Sequence, residues 1–282
     1  IPVLRLLKDY LHVQDIYELR GILNGTTNYI LSEMEDKNIS FENALSQAQQ
    51  MGFAEQDPTN DIKGIDARYK LVILTYLITG QWFDPEQIKL EGIDHLELAD
   101  FEYADRMGRR IKLIANLRLK NNGLQVYVLP LMIEKDDILS KISGSTNAIT
   151  LSGKYADDIT LIGKGAGSLP TASAIVSDLE KIQNNPYPLP PPPSTRELEI
   201  KSMESIKFRH TLRFEVRDHP GIFGHYGKIF ERHSINIYAL EQLPQYHKMG
   251  NRGEEIVIFT LTLQECNEGL LLKALDEINQ AE

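Results

Sequence analysis

Four carboxylates precede one lysine in the segment of the chain with the greatest potential for chemistry. The lysine is Lys70, and the carboxylates are Glu55, Asp57, Asp61 and Asp66. Asp66 and Lys70 are four residues apart, so on a helix both project from the same face. A lysine beside an acid suits proton transfer near neutral pH when burial lowers its pKa. The first hypothesis is therefore acid–base chemistry on a small polar molecule.

The residues after Lys70 bear on whether this pair does chemistry or is a surface ion pair. An exposed pair usually contributes only a few tenths of a kcal/mol to stability. The run Leu71–Leu74 is apolar, which predicts a buried helix, and a buried charge must be paired or used. On the residues alone, both interpretations stay open.

Clear periodic patterns predict the elements that must position these groups. Apolar residues at helical spacing indicate amphipathic helices, and alternation of apolar and polar residues indicates strands. Thr26 or Thr27 is suited to cap a helix that starts after the turn at 24–27, and Gly52 is suited to end the helix before it. The predicted elements are helices at 3–11, about 26–34, 41–51, 65–79 and 173–182, a strand at 16–23, and several strands between about 111 and 165.

A proline-rich run, Asn185 to Ser194, predicts a division of the chain. Prolines cannot donate backbone hydrogen bonds and favour an extended spacer. We expect a first domain at 1–185, a linker at 186–204 and a second domain at 205–282. The second domain is predicted as strand 208–216, helix 222–233, strands 235–242 and 255–263, and helix 268–280. This β-α-β-β-α order is most of a split βαβ sandwich, whose fourth strand is expected after Glu282.

Composition narrows the class of protein. The 282 residues carry 30 Lys+Arg against 40 Asp+Glu, a formal charge of −10, which disfavours nucleic acid and anionic membranes as partners. Cys266 is the single cysteine, so no intrachain disulfide is possible and the cytoplasm is the simplest location. The most apolar run, 71–80, is about half of what a membrane-spanning helix needs. Because the chain opens at Ile1 without an initiating Met, we expect a piece of a longer polypeptide.

Three consecutive segments resemble the signature region of homoserine dehydrogenases. They are Asn24–Ile30, Ala48–Thr59 and Asp61–Leu71, and the resemblance continues at Gly163–Gly167 and Pro170–Leu179. It implies an α+β fold with a mixed-sheet domain for substrate binding and dimerisation. It also implies NAD- or NADP-dependent interconversion of L-homoserine and L-aspartate 4-semialdehyde in threonine and methionine biosynthesis, by a homodimer or tetramer.

The resemblance also implies roles for individual residues. Lys70 would pass the proton at the substrate oxygen, and Asp66 would hold the substrate and tune that lysine. Glu55 would bind the ammonium of the substrate, and Asp61, Gly25 and Thr26 would also contact the substrate. Gly52 and Gly165 would lie on the nicotinamide side of the cofactor. The dinucleotide-binding domain of the family would precede Ile1, so this chain alone should bind NAD(P) poorly and be inactive. No metal site is expected.

The segment Asp218–Phe223 resembles the strand–helix junction of ACT domains, which bind amino acids. Asp218 is suited to cap the helix, and Gly221 would let a ligand approach it. The resemblance implies a ferredoxin-like ACT domain that lacks its last strand, with threonine as effector at Asp218, Gly221 and Ile222. A well-capped helix without a ligand is the simpler alternative.

An alternative function is a non-catalytic fragment for amino-acid sensing and dimerisation. The catalytic interpretation requires Glu55, Asp66 and Lys70 to converge on one pocket, whereas a pure sensor would leave them dispersed.

Overall fold

The computed structural model describes residues 3–9, 11, 14–120, 123–184, 198–202, 204, 206–242, 248–249 and 255–281. The chain forms two compact units, Ile1–Ile200 and Lys201–Glu282. Helices of the first unit are α1 (Val3–Asp9), α2 (Gly25–Lys37), α3 (Phe41–Gln50), α4 (Thr59–Ile62), α5 (Ile65–Thr79), α6 (Leu98–Arg106) and α7 (Ser168–Asn184). Its strands are β1 (Ile16–Ile22), β2 (Lys89–Leu90), β3 (Arg109–Lys120), β4 (Gly123–Glu134), β5 (Thr146–Gly153), β6 (Asp157–Lys164) and β7 (Glu199–Ile200).

The strands of the first unit form one mixed sheet in the order β2-β4-β3-β1-β5-β6, with β7 also paired to β4. The short strands β2 and β7 run parallel to β4, and the other pairs are antiparallel. Residues 111–117 of β3 are all buried, as a central strand covered on both faces requires. Strand β6 is mostly exposed or half-buried at the edge. The predicted α+β fold with a mixed sheet is confirmed.

Apolar packing fixes two helices against the middle of this sheet. Leu19 and Leu117 of the sheet, Ile30 and Leu31 of α2, and Leu71 of α5 belong to one core cluster and are fully buried. Each such side chain contributes about 1.5–3 kcal/mol through burial. As a result, the N-terminus of α2 and the first turns of α5 lie at fixed positions near the end of β1.

Local signals explain where α2 and α5 begin and end. Asn24 precedes α2, and its side-chain oxygen accepts the backbone N–H of Thr27 at 2.8 Å. The expectation that Thr26 or Thr27 caps this helix is therefore wrong, because both lie inside its first turn. Helix α5 is bounded by Gly64 and Gly80, both at positive φ, which glycine adopts without strain. The bounds predicted for α5 are confirmed.

In its described residues, the second unit contains a four-stranded antiparallel sheet, a separate two-stranded sheet and two helices. Its helices are α8 (Ile222–Arg232) and α9 (Glu268–Ala281), and its strands are β8 (Lys207–Phe208), β9 (Thr211–Arg217), β10 (Ile237–Gln242), β11 (Lys248–Met249), β12 (Glu255–Leu263) and β13 (Cys266–Asn267). Strand β12 is central: it pairs with β9 on one edge and with β10 and β11 on the other. Phe230, Phe259, Leu261 and Ala274 form the centre of its core.

Some predicted bounds differ from the structure. The strand expected over 208–216 is divided into β8 and β9, and β8 pairs with β13. Helix α7 begins at Ser168, earlier than predicted, with Pro170 in its first turn, where a missing N–H is tolerated. Of the predicted linker at 186–204, residues 186–197 and 203 lie outside the described residues, and β7 within it pairs with β4. Over the described ranges, no helix is long and apolar enough to cross a membrane.

Candidate active site

Helix α5 places Asp66 and Lys70 on one face, and the two side chains form an ion pair. Lys70 Nζ donates to Asp66 Oδ2 at 2.6 Å. The Lys70 side chain is 48% exposed and that of Asp66 is 32% exposed. The expected burial of this lysine is therefore wrong. The buried face of α5 is formed by Ala67, Leu71 and Leu74, whereas Lys70 shares the outer face with Ile73, which is itself exposed.

A second contact ties Lys70 to the end of β1. Its Nζ also donates to the carbonyl oxygen of Leu23 at 3.2 Å. Leu23 is the residue between β1 and the cap of α2. The ammonium is thus held between a carboxylate of its own helix and a backbone carbonyl of the neighbouring segment.

Asn24 joins the acidic residues to the start of α2. Its Nδ2 donates to Asp61 Oδ1 at 2.6 Å and to Asp66 Oδ2 at 2.9 Å, while its Oδ1 caps Thr27. The side chain is buried. Sequence reasoning missed this role, although asparagine before a helix is a strong capping signal.

Gly25 and Thr26 lie in the first turn of α2, beside two other segments. A Cβ on Gly25 would lie 2.8 Å from the Ser145 carbonyl oxygen, so only glycine fits there without a shift. Thr26 Oγ1 donates to the Phe53 carbonyl at 2.7 Å. This bond holds the loop after α3 against the start of α2.

Glu55 lies in that same loop and is exposed. Gln49 Nε2 donates to the Glu55 backbone carbonyl at 3.1 Å, which fixes the main chain. Within the described part of the chain, the Glu55 carboxylate has no hydrogen bond or ion pair to Lys70, Asp66 or Asp61. The structure thus brings Lys70, Asp66 and Asp61 together around Asn24. It places Glu55 in a loop that is attached to the start of α2.

Gly52 and Gly165 are explained by different constraints. Gly52 follows α3 at φ +74°, the left-handed conformation of a helix C-terminus, and a Cβ there would meet nothing within 4 Å. A Cβ on Gly165 would lie 2.3 Å from Asn147 Nδ2. That amide also donates to the Leu23 carbonyl at 3.4 Å. Asn147 is therefore a further member of the cluster that sequence reasoning did not single out.

The residues expected to bind an effector lie at the start of α8 in the second unit. Gly221, at φ +87°, is the residue before the helix, and no side chain caps it. The expected capping by Asp218 is wrong: Asp218 is exposed, and its backbone N–H pairs with Glu255 across the sheet at 2.8 Å. The Ile222 side chain is buried in the core of this unit. Over the described residues, no group of three or more His, Cys, Asp or Glu is arranged to hold a metal ion.

Fold and cluster together define an α+β protein with a mixed sheet and an acid–lysine site at a strand end. The family described as homoserine dehydrogenase matches residues 2–179. A homoserine dehydrogenase of Synechocystis sp. is 36% identical over 295 residues, covering 100% of this chain and 66% of that protein. The chain belongs to the homoserine dehydrogenase family.

Solved structures agree with this assignment. A homoserine dehydrogenase from Thiobacillus denitrificans aligns with a TM-score of 0.85 at 33% identity, over 99% of this chain and 64% of that one. A hyperthermophilic archaeal homoserine dehydrogenase mutant, described in complex with NADPH, aligns with a TM-score of 0.56 at 26% identity, over 67% of this chain and 54% of that one. The chain spans just under two-thirds of the length of the Synechocystis relative.

Proposed function

We propose that this chain is the substrate-binding and catalytic part of an enzyme that interconverts L-homoserine and L-aspartate 4-semialdehyde with NAD or NADP. The observation that carries the proposal is the paired ammonium of Lys70. It is anchored by Asp66 and the Leu23 carbonyl, and its side chain is half exposed, so a bound substrate has access to it.

Lys70 supplies the proton in the reductive direction. As hydride arrives at the aldehyde carbon, negative charge develops on the carbonyl oxygen, and the ammonium donates a proton to give the alcohol. In the oxidative direction the neutral amine accepts the hydroxyl proton. Asp66 acts on Lys70 by orienting its amino group through their 2.6 Å contact and by placing a negative charge beside it.

Acidic residues bind the amino-acid end of the substrate. Glu55 carries a carboxylate that is exposed and without a protein partner within the described ranges, which suits it to an ammonium ligand. Asp61 supports the same end, while Gly25 and Thr26 form the pocket wall. The bond from Thr26 to Phe53 supports this arrangement because it couples the Glu55 loop to α2.

The cofactor would face Gly52 and Gly165. Nicotinamide supplies the hydride when it is bound. The open space at Gly52 fits close approach of a planar ring, whereas the space that a Cβ would fill at Gly165 is taken by the Asn147 amide. Gly165 therefore acts through its backbone and through Asn147. We propose that the nucleotide-binding domain, and with it the preference for NAD or NADP, belongs to the third of the relatives' length that this chain does not span.

For the second unit we propose an ACT-like domain that binds threonine as a feedback effector. The support is the β-α-β-β-α order, with β12 central between β9 and β10, and two helices that pack together. Asp218, Gly221 and Ile222 would contribute through their position at the start of α8, mainly by backbone groups, because the Ile222 side chain packs into the core. The boundaries 1–185, 186–204 and 205–282 are part of this proposal.

We also propose a homodimer or tetramer. Edge strand β6 exposes Ile162, and an exposed apolar edge strand is a natural surface for pairing with a second copy. Light scattering of the full-length protein tests this: a monomer at micromolar concentration would contradict it.

The direct test of the function is an assay of the full-length protein with L-aspartate 4-semialdehyde and NADPH or NADH. We expect cofactor oxidation with homoserine as product. Threonine should inhibit this activity or raise the melting temperature by binding the folded state. If no homoserine forms with either NADPH or NADH, the enzymatic proposal is overturned. Activity without any response to threonine would overturn the regulatory one alone.

A further inference from the structure

Asn147 is buried at the start of β5 with one half of its amide unpartnered. The residue is only 8% exposed, and its Oδ1 has no hydrogen-bond partner within the described part of the chain. Buried polar atoms in folded proteins are nearly always partnered, since an unpaired acceptor forfeits its bonds to water. An acceptor of this kind beside a candidate active site points to a donor on a ligand.

The two halves of this amide face different segments. Nδ2 lies towards Gly165, 2.3 Å from the position that a Cβ would take there, and donates to the Leu23 carbonyl. Oδ1 lies nearer to Gly25, 3.2 Å from the Cβ position there, than to Gly165, where the corresponding distance is 3.7 Å. The amide nitrogen is therefore committed to protein contacts, and the free oxygen points to the start of α2.

One carbonyl connects Asn147 with the catalytic lysine. The Leu23 oxygen accepts Asn147 Nδ2 at 3.4 Å and Lys70 Nζ at 3.2 Å. Asn147 and Lys70 thus converge on the same backbone oxygen, which makes Asn147 part of the cluster that holds the Lys70 ammonium.

The segment that leads into β5 is held by a buried polar network. Asn28 Nδ2 donates to the carbonyls of Ile142, Gly144 and Thr146 at 3.3, 2.8 and 3.1 Å, and Lys112 Nζ donates to Ile142 at 2.9 Å. Both side chains are buried. This support fixes the backbone from which Asn147 projects, so its amide oxygen is a pre-positioned acceptor.

We infer that Asn147 is a further substrate-binding residue, whose Oδ1 accepts a hydrogen bond from the hydroxyl or ammonium of an amino-alcohol substrate bound against Gly25. The inference rests on the proposed function and deepens it. The position of Oδ1 on the Gly25 side, rather than the Gly165 side, favours the substrate over the carboxamide of nicotinamide as the donor.

The experiment measures L-homoserine and NADPH binding by calorimetry, each ligand alone, on the full-length protein and its variants. Asn147→Leu keeps the shape of the side chain without its polar atoms, and Asn147→Ala is measured alongside in case the leucine prevents folding. Thr150→Val is the matched control, because Thr150 lies on the same strand as Asn147 and the change removes a part-buried hydrogen bond to Thr160 of β6. We expect the Asn147 variants to weaken homoserine binding about tenfold and the control to leave it within twofold of the wild type.

Two results would overturn the inference. Homoserine affinity equal to that of the Thr150→Val control would make Asn147 a structural residue. If the Asn147 variants lose affinity for NADPH but retain affinity for homoserine, the hydrogen-bond donor to Asn147 Oδ1 belongs to the cofactor. Either result, in a wild-type protein that reduces aspartate semialdehyde, leaves the proposed function standing; a wild type without that activity removes the proposed function itself.

Discussion

Lys70 and Asp66 lie one helical turn apart, and the oxygen of Asp66 that accepts Lys70 Nζ at 2.6 Å also accepts Asn24 Nδ2 at 2.9 Å. The carboxylate is thereby held both by Lys70 and by a donor from outside α5. In physical terms, Asn24 orients Asp66, and Asp66 orients Lys70.

Replacement of Asn24 should separate its capping role from its role in the cluster. Asn24→Ser keeps an oxygen for the Thr27 N–H but is too short to reach Asp61 and Asp66, whereas Asn24→Ala loses both. We expect the alanine variant to lower the free energy of unfolding by about 1–3 kcal/mol and the serine variant to lose less than half of that. Urea denaturation measures the stability. Activity should fall in both variants, and serine activity equal to the wild type would contradict the orienting role.

The glycines of the site should respond differently because their constraints differ. Gly25→Ala places a Cβ 2.8 Å from a backbone oxygen and should destabilise the fold by about 1–3 kcal/mol. Gly52→Asn introduces a residue type that tolerates positive φ, and its side chain enters open space. The free energy of unfolding should therefore stay within about 1 kcal/mol of the wild type. If Gly52 faces the cofactor, this variant should raise KM for NADPH. Unchanged KM would limit Gly52 to its role at the end of α3.

Glu55→Gln should raise KM for homoserine by on the order of tenfold or more, because it removes the charge that pairs with the substrate ammonium. Its effect on kcat should be smaller. Asp57→Asn is the control in the same loop: the Asp57 carboxylate accepts the Thr59 hydroxyl at 2.5 Å and the Thr59 N–H at 3.1 Å, and these two hydrogen bonds lower its pKa. That variant should affect stability slightly and KM little. Equal KM values for the two variants would remove Glu55 from substrate binding.

Lys112 should make the stability of the protein depend on pH in the alkaline range. Burial lowers the pKa of Lys112 to about 8 from its ordinary 10.5, against the opposing effect of the Glu35 carboxylate. Between these two values the unfolded chain binds more protons than the folded one, so stability rises with pH through this window. Relative to Lys112→Met, the wild type should gain up to about 3 kcal/mol between pH 8 and 10.5, at about 1.4 kcal/mol per pH unit. Parallel unfolding curves for the two proteins would contradict the lowered pKa.

Elements with strong local patterns were predictable from the sequence. Helix α5 has its predicted bounds, 65–79, because apolar residues fill it and glycines limit it at both ends. Strand β1 and the alternating strands β3 to β6 follow from period-two patterns and turn residues. The contact between Lys70 and Asp66 follows from their four-residue spacing on a helix alone.

Long-range contacts were not predictable in this way. Asn24 meets Asp61 and Asp66 only because α2, α4 and α5 meet at the end of β1, and Asn147 reaches Leu23 across the same point. Hydropathy misled the prediction for Lys70: Ile73 makes its face look apolar, yet that face is exposed. No local pattern distinguishes an apolar residue that packs in a core from one that lines an open site.

The most direct test of the account compares Lys70→Ala with Lys63→Ala in the full-length protein. Both lysines are about half exposed and paired with an aspartate, since Lys63 Nζ lies 2.7 Å from Asp94 Oδ2. Loss of either pair should cost under about 1 kcal/mol in stability. We expect kcat for reduction of aspartate semialdehyde to fall roughly 10²- to 10⁴-fold in Lys70→Ala and to stay near the wild type in Lys63→Ala. Near-normal kcat in a folded Lys70→Ala variant would contradict the central claim.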